Sequence, residues 1–139
     1  MVSNPVRFTN LSSPKVSTLE LEFRTGNDDL RGGKDNLNLR INFKNGRSQY
    51  VANVNKGKRW ANGSQNTVKI KLDQAISSGQ VKSIQLITTS KGGWNGDNWN
   101  MNAVKVREVS SSKKLIYQKS GNPVKRFTGS SRSHLLPIS

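Results

Sequence analysis

Over most of this chain the hydrophobic residues recur at every second position. Leu19, Leu21 and Phe23 alternate with Thr18, Glu20, Glu22 and Arg24, and Leu37, Leu39, Ile41 and Phe43 alternate with Asn38, Arg40, Asn42 and Lys44. Successive side chains of a strand point to opposite faces, so this spacing builds half-buried strands and not amphipathic helices. The same period predicts strands through Val68, Ile70 and Leu72, through Ile84, Leu86 and Thr88, and through Val104 and Val106. A strand over 48–55 is expected to place Tyr50, Ala52 and Val54 on one face, with Asn45-Gly46 before it as a type I′ hairpin turn. The tail offers two further strands, 113–119 and 124–128, and Leu135-Leu136 to close the sheet. Residues 73–78 are the place for one short helical turn.

Short strands separated by Gly, Asn and Ser turns predict an all-β fold, an antiparallel β-sandwich of about eight strands. The 139 residues fit one domain, with a core over 17–109 and C-terminal strands over 113–138. That length buries a core without covalent staples. The absence of cysteine excludes disulfides, thiolate metal sites and thiol catalysis. No run of ~18 apolar residues is present to span a membrane as a helix. The N-terminus lacks the basic-then-apolar layout of a secretory signal, which leaves secreted and cytoplasmic locations both open.

Charge then narrows the partners. Twenty-three Lys and Arg oppose eight Asp and Glu, a formal net charge of +15. Such an excess attracts polyanions: an anionic membrane surface, an acidic glycan or nucleic acid. Nucleic acid ranks last, because no recognition-helix or RNA-binding signature accompanies the charge.

The order of these pieces resembles the PLAT domain, the β-sandwich module of lipoxygenases, lipases and polycystins. The resemblance covers about residues 17–109 and rests on particular residues. Thr25-Gly26 opens a Gly- and Asp-rich loop that runs through Gly32-Gly33-Lys34-Asp35-Asn36 into a strand. The strand Val81-Lys82-Ser83-Ile84-Gln85-Leu86 also matches, and Trp99, Met101, Val104 and Val106 occupy the family's closing W-x-L-x-x-V-x-V pattern. The chain is closer still to a TGxDDLRGG…GDNWNM variety, to which the segment 121–137 belongs. The resemblance implies two packed antiparallel sheets and a role in docking on lipid or protein, sometimes with calcium. The acid that the family usually carries after the Trp is replaced here by Asn102, which weakens a carried-over calcium site.

Three polar loops carry the candidate site residues. Asp28, Asp35 and Asp97 are candidate calcium ligands, because calcium takes six to eight oxygens and Gly lets carbonyls turn inward. Asn and Asp also close turns without any ion, so an Asx-turn reading stands beside the metal reading. Trp94, between glycines and Asn95, is expected at a loop tip, where it would enter a lipid interface or stack on a sugar. Trp60 beside Lys56, Lys58 and Arg59 joins a ring to three cations, with packing against its own sheet as the alternative. Asn98 completes the ligand-binding set, and Trp99 is expected to anchor the core. Docking on membrane lipid or a partner protein is therefore the leading expectation, and a lectin-like module the alternative.

No catalytic device is visible. His134 is the one histidine, in a Ser/Arg-rich stretch, and is expected to be solvated. Glu20 and Glu22 share a strand face among basic neighbours and are expected to form a salt-bridged surface.

Overall fold

The computed structural model describes residues 15–90 and 98–139. Eight strands form two antiparallel sheets, and the described residues contain no helix. They are β1 Val16–Thr25, β2 Leu37–Phe43, β3 Ser48–Val51, β4 Gln65–Ile76, β5 Val81–Thr88, β6 Trp99–Val109, β7 Lys113–Phe127 and β8 Ser133–Pro137. One sheet has the order β4-β1-β6-β7 and the other β3-β2-β5-β8.

The period-two residues become the inner faces. Leu19, Leu21, Phe23, Val104 and Val106 from one sheet pack against Leu37, Leu39, Ile41, Ile84, Leu86 and Leu136 from the other. At one end an aromatic group seals the core: Phe23 stacks on Trp60 at 5.3 Å, and Trp99 stacks on Phe127 at 5.2 Å. The Trp99 indole donates to Thr25 Oγ1 at 3.0 Å, which satisfies its one buried polar atom. Trp99 is therefore the expected core anchor.

Four local expectations are corrected. The β2–β3 hairpin is not type I′, since of Asn45 and Gly46 only Gly46 has positive φ. Gly46 N donates to Phe43 O and Phe43 N to Arg47 O, so this is a longer loop with Gly in the left-handed position. β3 ends at Val51, and its faces are reversed: Gln49 is buried and Tyr50 exposed. Gln49 turns inward because its amide completes the backbone of β4, donating to Lys71 O at 3.0 Å and accepting from Asp73 N at 2.9 Å. Residues 73–76 continue β4 and form no helical turn. The two tail strands are one strand, β7, with extra residues bulged out opposite the step from Met101 to Ala103. Of the two readings of Trp60, packing against its own sheet holds for most of the ring, because Leu30 and Trp60 pair through their backbones and turn the indole under Phe23.

The outer face of the β4-β1-β6-β7 sheet is a charge lattice. Glu20 lies across from Lys69 and Arg107, and Glu22 across from Lys105. Glu20 pairs with Lys113 at 3.2 Å and Glu22 with Arg107 at 3.4 Å, the salt-bridged surface expected of them.

Candidate functional site

The registers bring the ends of β1, β3, β5 and β7 and the starts of β2, β4, β6 and β8 to one pole. Loops 26–36, 52–64 and 128–132 lie there. Among the described residues the connections at the opposite pole are short turns, at 44–47, 77–80 and 110–112.

Backbone hydrogen bonds weld the loops at the first pole. Leu30 and Trp60 exchange two, at 3.1 and 2.8 Å, and Gly33 N donates to Gly57 O at 2.9 Å. Asn100 N reaches Asp28 O at 3.0 Å and Thr89 N reaches Asn36 O at 3.0 Å. The approach is closest at Gly32, where φ is +83° and a Cβ would lie 2.6 Å from Gly57 O. Only glycine fits there. Asn55, buried beneath, holds the entry of β2 by accepting from Leu37 N at 3.0 Å while donating to Asn36 Oδ1 and Lys58 O.

Between loop 54–60 and the start of β4 lies an open cleft of about 350 Å³, lined by Val54, Asn55, Lys56, Lys58, Trp60, Asn66, Thr67, Val68 and Lys69. It thus joins Trp60, Lys56 and Lys58, neighbours in sequence, to Lys69, which no sequence pattern groups with them. No carboxylate lines it. The buried Trp60 gives the cleft an aromatic wall, and its cations are the exposed Lys56, Lys58 and Lys69.

The other candidates are placed differently. Arg59 is engaged with Asp29 at 2.6 Å. Asp28 is paired with Arg126 at 3.0 Å, and Arg126 also donates to Asn100 Oδ1 at 2.8 Å. Asp35 and Gly32 exchange two backbone hydrogen bonds in a tight turn. Asn98 immediately precedes β6 at this pole. Trp94, Asn95 and Asp97 lie outside the described residues. Among the described residues no three His, Cys, Asp or Glu side chains converge as a metal site. Of the three candidate calcium ligands, Asp28 already neutralises the Arg126 guanidinium, Asp35 sits in its own turn, and Asp97 is outside the described residues. Asn102 Oδ1 is buried without a hydrogen-bond partner and lies against Gly26, where a Cβ would come within 2.4 Å of it.

Solved structures share this architecture. The alpha-toxin of Clostridium perfringens, from an avian strain, superposes with a TM-score of 0.69 at 22% identity, over 92% of this chain and 32% of the toxin. The alpha toxin of Clostridium absonum gives 0.69 at 18% identity, over 89% and 32%. Coral 8R-lipoxygenase, described as calcium-activated through a C2-like domain, gives 0.53 at 19% identity, over 87% and 17%. The fold is a PLAT/C2-like β-sandwich. The chain thus spans about a third of the toxins and a smaller share of the lipoxygenase. No protein-family model matches the sequence. No curated protein matches it either.

Proposed function

We propose that this chain is a non-catalytic binding module that docks its loop pole on an anionic membrane surface. The cleft of Lys56, Lys58 and Lys69 receives a lipid phosphate, and Trp94, Asn95 and Asn98 supply further contacts with the bilayer. The observation that carries this reading is a cleft with three lysines and no acid among its lining residues. Near an anionic bilayer each such cation contributes about 1 kcal/mol. The likeness to the coral lipoxygenase, whose C2-like domain mediates calcium activation, supports an accessory role for this fold. A glycan partner is less well served, since the pole amides of Asn36, Asn55 and Asn100 already bond to one another or to their neighbours.

Sedimentation with neutral phosphatidylcholine vesicles, and with the same vesicles carrying phosphatidylserine, tests the reading. Retention is expected only on the anionic vesicles and is reduced by salt. Failure of the anionic vesicles to retain the protein at low salt overturns it. Release by a soluble sugar at constant ionic strength would indicate a lectin instead.

A further inference from the structure

The sandwich has two open sides, and they are built differently. On one, β3 and β4 are joined by the Gln49 amide. On the other, β7 and β8 face each other across a seam. Lys119 lies across from Val104 and Lys125 from Met101, both fully buried inner-face residues, so the two lysines start from the inner side of β7. His134 lies across from Leu86, also fully buried, so it starts from the inner side of β8.

Cations therefore gather here. The Lys125 ammonium donates to Ser131 Oγ at 2.5 Å and lies 5.8 Å from the centroid of the Phe127 ring. His134 is half-buried, and its pKa is held below the ordinary 6.5 by that burial first, then by Lys125 and Lys119. Tyr117 adds a hydroxyl on the same side of β7, and Arg132 precedes β8 with a further cation. None of the ion pairs among the described residues uses Lys119 or Lys125. Among the described residues no acid pairs with these cations, and like charges converging on a half-buried imidazole are unfavourable unless a bound anion compensates.

We propose that the β7–β8 seam binds one phosphate or sulfate group, held by the Lys119 and Lys125 ammonium groups and by His134 in its protonated, doubly donating form. Binding and protonation are then linked: the anion draws a proton onto the imidazole, and acidification strengthens anion binding. The seam shares no residue with the Lys56–Lys58–Lys69 cleft and stands independently of the docking proposed there. Its source of phosphate is either a free oxyanion or the phosphomonoester of a lipid headgroup.

One histidine in the chain makes the test direct, since a single imidazole signal reports the site. The full chain is titrated by NMR in sodium sulfate and in sodium chloride of equal ionic strength; sulfate keeps its charge across the range. Sulfate is expected to raise the His134 midpoint by about one unit over chloride, a roughly tenfold preference for the protonated form. The rise should vanish in Lys119→Gln/Lys125→Gln and persist in Lys71→Gln/Lys113→Gln, which removes two cations from the opposite face of the same sheet. Equal midpoints in the two salts, or an undiminished rise in the first variant, overturn the proposal. Vesicles of phosphatidic acid separate the sources. A rise with them beyond that with phosphatidylserine assigns a lipid phosphomonoester, and a rise with soluble sulfate alone assigns a free oxyanion.

Discussion

Removing two lysines from the loop pole and two from the far pole changes net charge equally but should change docking very differently. Lys56→Ser/Lys58→Ser empties the cleft of two of its three cations. At about 1 kcal/mol for each cation near an anionic surface, the loss is about 2 kcal/mol, or roughly 30-fold in affinity. Lys44→Ser/Lys114→Ser alters two exposed lysines at the short-turn pole. β1 alone runs 10 residues between the poles, which at ~3.3 Å per residue separates them by roughly 30 Å. The Debye length at physiological salt is about 8 Å, so these charges should affect binding by less than about twofold. Partition onto phosphatidylserine vesicles, measured by sedimentation at fixed ionic strength, reads both variants against the unaltered protein. Equal weakening would show that binding follows net charge, and the argument for an oriented loop pole would be refuted.

Three other outcomes are expected. Trp60→Ala should destabilise the fold by about 3–5 kcal/mol in denaturant unfolding, because the indole is buried against Phe23 and Trp99; unchanged stability would mean that the ring is external. Chelation with EGTA should leave vesicle retention unchanged, since Asp28 and Asp29 already serve Arg126 and Arg59; loss of retention would place calcium at the pole. Because the pKa of His134 is lowered on folding, the unfolded chain binds the extra proton between the folded value and 6.5, so stability should fall as pH drops through that window. Thermal unfolding of His134→Gln should lose that component of the pH dependence, and an unchanged profile would exclude the imidazole as its source.

Much of the scaffold was legible because its signal is local. In β1, β2 and β5, Leu, Ile and Phe alternate with polar residues, and those alternations are the inner faces. Where a side chain imitates backbone, the pattern misleads: Gln49 reads as polar and outward, yet its amide meets Lys71 and Asp73. Gly121-Asn122-Pro123 reads as a break between strands, but β7 absorbs it as a bulge because β6 continues alongside. The cations beside Trp60 leave its side open in the sequence; the pairing with Leu30, distant in sequence, turns the ring inward. The sequence groups Lys56, Lys58 and Trp60, but Lys69 joins them only through the packing of β4 beside the loop. The Arg126–Asp28 pair links two ends of the chain that no spacing rule connects.

The Gln49 amide also bears on how copies of this protein meet one another. β4 is a long strand at the margin of its sheet, and such margins invite a stranger's strand to add itself. By occupying Lys71 O and Asp73 N from within the same molecule, Gln49 removes two of the handholds a newcomer would need midway along that margin. A crowded solution of a chain rich in β-structure thereby gains an internal guard against side-by-side polymerisation.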